Sequence, residues 1–168
     1  MDELTDILIK ATAGISPEYF LLPIHGAEPV YRERVYCYEL YHQMRSHWPN
    51  ESPYRLNGEV DKAAHPYFTD GTAPKPDLLV HQPGTGRNCA AVEIKTARAM
   101  AAGIMKDLQT LTRFVNEFGY QRAIYLLYGD VTESTMQMVD ALATEMPGGE
   151  RLEIWFHPAA ETPAIRVR

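Results

Sequence analysis

Apolar residues recur along this chain with two periods. Leu4, Ile7, Leu8 and Ala11 fall on one side of a helix, so residues 3–12 are predicted to be a short amphipathic helix. Ser16-Pro17-Glu18 reads as a second helix start, ended by Pro23 and Gly26. From Tyr31 to Trp48 the pattern is helical again, with Cys37, Leu40, Tyr41, Met44 and Trp48 in one stripe and Pro49-Asn50 as the stop. Tyr54 to Asp61 reads as a strand weakened by Gly58, and residues 62–76, rich in Pro, Gly and polar groups, as a loop. Asp77–His81 and Cys89–Lys95 are apolar strands, and the linker Gln82–Arg87 between them suits a hairpin turn.

Ala101–Phe118 returns to the helical period, with Ile104, Leu108, Leu111, Val115 and Phe118 on the inner face and Gly119 as terminator. Ala123–Tyr128 is apolar throughout, as expected of a central strand covered on both faces. Thr132–Met146 is predicted helical, Leu152–Phe156 a last strand near an edge, and Ala164–Arg168 a short strand or a frayed tail. The early strands should meander antiparallel. The strand at 89–95 reaches the one at 123–128 through a helix, so those two should be parallel. The expected fold is α/β: a mixed central sheet flanked by helices on both faces.

The chain has 168 residues, which suits one domain spanning 1–168: an N-terminal helical extension (1–30), a core (31–130), then a C-terminal helix and edge strand (131–168). The net charge of −6 gives no support by itself to nucleic-acid binding. It does not exclude it, since local patches matter more than totals. Cys37 and Cys89 read as two buried, reduced thiols, with no Cys-x-x-Cys to suggest zinc. The acidic start Met1-Asp2-Glu3 lacks a signal peptide's basic region, and no stretch approaches the roughly 20 apolar residues of a membrane span. A cytoplasmic protein without membrane contact is the expectation.

Against this background Glu93-Ile94-Lys95 stands out. It places opposite charges on one face of a strand that is otherwise buried, which costs several kcal/mol unless the charges are paired or hold a metal. Asp77 opens the preceding strand, and hairpin geometry sets it opposite residues 93 to 95. Two neighbouring carboxylates repel unless a cation lies between them, and oxygen ligands alone favour Mg²⁺ or Mn²⁺. Lys95 would face the same side, placed to contact a scissile phosphate or the attacking water. Lys75 and Arg87 flank the hairpin strands and could touch a backbone phosphate. Serine and histidine chemistry finds no matching spacing.

Pro76-Asp77 followed by Glu93-Ile94-Lys95 resembles the PD-(D/E)XK nuclease superfamily, which includes restriction-endonuclease-like and RecB-like nucleases. The order helix, three strands, helix, strand over roughly residues 30–130 is similar to that superfamily's αβββαβ core. The resemblance implies a restriction-endonuclease-like core with metal ligands Asp77 and Glu93 and a catalytic Lys95. It also implies a further acid on the preceding helix. Glu33 and Glu39 compete for that place, about 240° apart around the helix, and Glu33, on the buried side, is the expected catalytic residue and third metal ligand, directly or through water. Glu59, sharing one strand face with Asp61, would be an auxiliary acid. The crossover helix would lie beside the site, making Arg98, Lys106 and Arg113 candidate phosphate contacts and Asp107 a residue of the helix or the site's rim.

The resulting expectation is a Mg²⁺- or Mn²⁺-dependent nuclease acting on DNA, with RNA as second choice, working alone, as a homodimer or in a larger complex. The alternative is a catalytically inactive member of the same fold, a nucleic-acid-binding or assembly subunit of a defence or mobile-element system. The blandest alternative is a structural Glu93–Lys95 ion pair in an unrelated α/β protein.

Overall fold

The computed structural model describes residues 2–60 and 74–168. The first helix, α1 (Asp2–Ala13), buries Leu4, Ile7, Leu8 and Ala11, as its periodicity predicts. The second, α2 (Pro17–Phe20), is one turn long with Pro17 in its first position, where no amide donor is needed. Pro23 and Gly26 do not simply end it. They lie in an antiparallel hairpin of β1 (Leu22–Ile24) and β2 (Ala27–Val30), with Gly26 at φ +73° in the turn. The N-terminal extension is therefore not purely helical. The hairpin escaped the sequence because its strands are short and mostly exposed, so burial imposes little alternation.

Next come α3 (Glu33–Ser46), β3 (Arg55–Gly58), β4 (Leu78–His81) and β5 (Asn88–Thr96). The crossover helix α4 (Ala101–Asn116) leads to β6 (Arg122–Tyr128). Then follow α5 (Glu133–Glu145), a 3-10 turn at Gly149–Arg151, β7 (Leu152–His157) and β8 (Ile165–Arg166). Thr132 caps α5 by accepting a hydrogen bond from the Thr135 amide. The strands from β3 onward form one six-stranded mixed sheet in the order β3-β4-β5-β6-β7-β8. β3, β4 and β5 meander antiparallel, β5, β6 and β7 run parallel, and β8 returns antiparallel.

Two expectations at the sheet's margins need correction. β7 is not an edge strand. All six of its residues are buried, and β8 covers its outer side. Glu59 is not on a strand: β3 stops at Gly58, and Glu59 takes a left-handed backbone at φ +42°, although its amide still donates to the Asp77 carbonyl at 2.9 Å. Asp61, its expected strand partner, lies outside the described residues, as does most of the predicted loop.

The alternation of strand side chains divides the core in two. Val80, Ala90, Val92, Ile94, Ile124 and Leu126 pack toward α1 and α3. Leu79, Ala91, Tyr125 and Leu127 pack toward α4 and α5, against Ile104, Leu108, Leu111 and Val115. Beyond the irregularity near Cys89, which packs on the α1 side with Ala90, alternation sets Ala91, Glu93 and Lys95 on the α4 side. At one end of the sheet, Arg122 holds Glu153 through two bonds of 2.6 and 2.7 Å and reaches Thr5 of α1 at 3.1 Å.

An aromatic box fixes α3 against the other end. Tyr36 stacks on Tyr128 with ring centres 3.8 Å apart, and its hydroxyl lies 2.7 Å from His157 Nδ1. Phe20 meets Tyr36, Tyr128 and His157 edge-on. Tyr31 lies over Gly129, whose φ of +102° suits glycine and where a Cβ would come 3.1 Å from the ring. This box sets the position of Glu33, one turn before Tyr36.

Burial pushes His157 down to about 4, an effect only partly offset by the backbone carbonyls of Thr162 and Ala159. Its folded value lies below the ordinary 6.5, so its contribution to stability is complete above that pH and is lost as the pH falls toward 4. The urea midpoint should therefore drop across this window. His157→Gln, which cannot titrate, should show a shallower slope there, although it starts from a lower midpoint.

Candidate active site

The β4–β5 register pairs Leu78 with Val92, so Asp77, one residue before β4, meets Glu93. Asp77 Oδ2 accepts a 2.7 Å hydrogen bond from the Ile94 amide, which fixes the carboxyl at the start of the strand. The register sets the Asp77 and Glu93 carboxyls side by side, close enough for Asp77 to raise the Glu93 pKa. Glu93 is only 9% exposed. Burial pushes its pKa well above the usual carboxylate range, and Asp77 and Asp107 add to the shift. Asp77 is also raised by burial, against the opposing effect of the Ile94 amide. Two acids in contact in a poorly solvated place are stable together only if they share a proton or a cation.

Lys95 is not paired with either of them. Its ammonium lies 3.2 Å from Glu33 Oε2 on α3 and 3.2 Å from Asp107 Oδ2 on α4. It therefore bridges helices on opposite faces of the sheet. Burial alone would lower the Lys95 pKa, but Asp107 and Glu33 outweigh it and hold the ammonium above its ordinary value. Glu33 also accepts a 3.4 Å bond from the Thr96 amide. Glu39 points elsewhere and takes a bond from Gln43 on its own helix. Of the two helix acids, Glu33 is the one that reaches Lys95.

Asp107 has a larger place than the sequence suggested. Its contact with Lys95 is one of charge, since Oδ2 is buried and lacks a hydrogen-bond partner among the described residues. Tyr125 was missed altogether. It pairs in register with Glu93 on the neighbouring strand, is fully buried, and has a hydroxyl without a partner among the described residues. Burial raises its pKa, and Asp107 and Glu93 raise it further, so it remains a neutral phenol. The only available sequence signal was a tyrosine inside an otherwise aliphatic strand. The Cys37 thiol is pushed up to about 12 by burial and by Asp77, Glu59 and Glu93, so on its own it is a neutral thiol at neutral pH.

The expected cations are scattered. Lys75 lies 3.6 Å from Glu59, which also meets Arg34 at 3.5 Å. Arg98 precedes α4 rather than belonging to it, and it is held by Asp130 at 2.8 Å and lies over the Tyr31 ring. Lys106 is exposed in α4 next to Asp107. Arg113 is in the last turn of α4, tied to Glu117 and set over Phe118, about 9 Å along the helix from Asp107.

The donor set suits a hard cation in one respect. Asp77 and Glu93 present adjoining oxygens without nitrogen or sulfur, and Mg²⁺ commonly takes only one or two carboxylates and keeps several waters. The orphaned Asp107 Oδ2 nearby is a further acceptor for such a water. Glu33 does not join the pair: among the described residues, no group of three or more His, Cys, Asp or Glu side chains is spaced to hold a metal ion. No helix among the described residues is long and apolar enough to cross a membrane. Comparison with family models, curated proteins and solved structures gives no match.

If the Asp77–Glu93 contact is a strained pair, neutralising one member should relieve it. Glu93 has a raised folded pKa, so its cost is absent below about 4.5 and grows as the pH rises. In chelator-treated protein, Glu93→Gln should unfold at a higher denaturant midpoint than wild type at pH 8, by about 1–2 kcal/mol, with the two converging near pH 4.5. Equal or lower stability at pH 8 would remove the strain argument.

Proposed function

We propose that this protein is a metal-dependent nuclease of the PD-(D/E)XK type, hydrolysing phosphodiester bonds in DNA, with RNA as the second candidate. The observation that carries the reading is the register that sets Asp77, held by the Ile94 amide, beside Glu93, with Lys95 on the same strand face as Glu93. The order of elements from α3 to β6 supports a restriction-endonuclease-like core, with β3 to β5 antiparallel and β5 and β6 parallel around a crossover helix.

Asp77 and Glu93 would hold Mg²⁺ or Mn²⁺, which when bound supplies a more acidic water and positive charge at the phosphate. Glu33 serves through Lys95 rather than as a direct ligand. Lys95 is cationic at neutral pH, so it donates hydrogen bonds and stabilises developing negative charge instead of accepting a proton. Glu33 and Asp107 hold that ammonium at a fixed point between two helices. Asp107 Oδ2 is positioned to accept a hydrogen from a water beside Lys95.

A catalytically inactive subunit of the same fold is the second reading. It is favoured by the lack of a three-ligand cluster among the described residues and by a lysine already neutralised by two carboxylates. Titration with Mn²⁺ separates the two. Wild type should bind the ion and Asp77→Ala should not. In assays on single-stranded, double-stranded and branched DNA and on RNA, Lys95→Ala should lose about 10²- to 10³-fold in cleavage rate while retaining the Mn²⁺ site. Undiminished cleavage by Lys95→Ala would identify a contaminant, and no ion binding by wild type would favour the second reading.

A further inference from the structure

A groove of about 380 Å³ opens beside the carboxyl pair, lined by Cys37, Tyr38 and Tyr41 of α3, Gly58 and Glu59 after β3, and Asp77 and Leu78. Asp77 belongs to both the groove and the carboxyl pair, so an occupant here adjoins whatever is held at that pair. One wall is aromatic. Tyr38 and Tyr41 are three residues apart and so share a face of α3. Tyr41 is half-buried against the sheet, its hydroxyl 3.4 Å from the Leu56 carbonyl. Tyr38 is 59% exposed, and neither its ring nor its hydroxyl has a partner among the described residues.

At Gly58 the floor is close to its walls: a Cβ there would touch the Asp77 carbonyl, Leu78 and Tyr41 at 3.8 to 3.9 Å, so the missing side chain leaves the groove its depth. Two exposed cations, Arg34 and Lys75, stand at the rim, drawn to Glu59 at 3.5 and 3.6 Å. Those contacts are long and solvated, so they cost little to exchange for a phosphate. An exposed aromatic face without a partner among the described residues, a space of base-binding size, rim cations and a shared wall with the carboxyl pair form one surface.

We infer that this groove receives an unpaired nucleobase from the strand being cut, stacked on Tyr38, with the adjoining backbone phosphate near Arg34 and Lys75. The inference rests on the nuclease reading and sharpens it: the substrate is single-stranded, or is a duplex with an overhang or flap beside the scissile bond. A base within an intact duplex is stacked and paired on both sides and cannot enter.

The experiment measures binding and cleavage separately. Fluorescein-labelled 12-mer single-stranded DNA and the blunt duplex of the same sequence are titrated with protein by anisotropy, with Ca²⁺ in place of Mg²⁺. Single-stranded DNA should bind about 10-fold tighter than duplex, and Tyr38→Ala should lose about 10-fold for the single strand only. Tyr38→Phe should keep the wild-type affinity, and circular dichroism should show both variants folded. Equal affinity for the two DNAs, or a single-strand affinity unchanged in Tyr38→Ala, overturns the inference. Mg²⁺-dependent cleavage with no Tyr38 effect would reject the groove while leaving the nuclease reading intact. A Tyr38-dependent preference without cleavage by any metal would uphold the groove and reject the nuclease.

Discussion

The register between β4 and β5 is the constraint on which the site depends. With Leu78 opposite Val92, Asp77 is brought to Glu93 and can accept the Ile94 amide. A slip of one residue would turn Glu93 and Lys95 toward α3's apolar face and bring Val92 and Ile94 to α4. The hydrophobic alternation of β5 forbids that slip, because Ala90, Val92 and Ile94 are buried under α1 and α3. The core thus fixes the polar residues by fixing their apolar neighbours.

That arrangement has a thermodynamic cost, and the surrounding packing offsets it. Glu93 is buried beside Asp77, and nearby Asp107 Oδ2 and the Tyr125 hydroxyl are buried without a hydrogen-bond partner among the described residues. Such groups are expensive in an interior and commonly mark places where function outweighs stability. Support comes from the apolar layer beneath α4 and from the aromatic box that pins α3. Because α3 carries both Glu33 and the tyrosines of the groove, one helix orients Lys95 and walls the space beside Asp77.

Much of the architecture was legible in the sequence. The helical stripe of α4 and the unbroken apolar run of β6 left little freedom, since each pattern can be buried in only one way. The β1–β2 hairpin was not legible, because its side chains are mostly exposed and short strands leave no clear period. β8 has two residues and no pattern of its own, so β7 looked like an edge. Glu59 appeared to continue a strand, yet its left-handed backbone depends on the chain's path rather than on the residue type.

For the chemistry, the sequence by itself determined that Glu93 and Lys95 share a strand face and that Asp77 opens the strand before it. Alternation and hairpin pairing are local rules, and local rules can be read from spacing. Only the tertiary structure decided that Lys95 turns to Glu33 and Asp107 rather than to Glu93, that Tyr125 faces the acids, and that Tyr38 borders a groove reaching Asp77. Those contacts join residues from separate elements on both faces of the sheet. Their distances follow from how the helices pack, a quantity that no spacing along the chain contains.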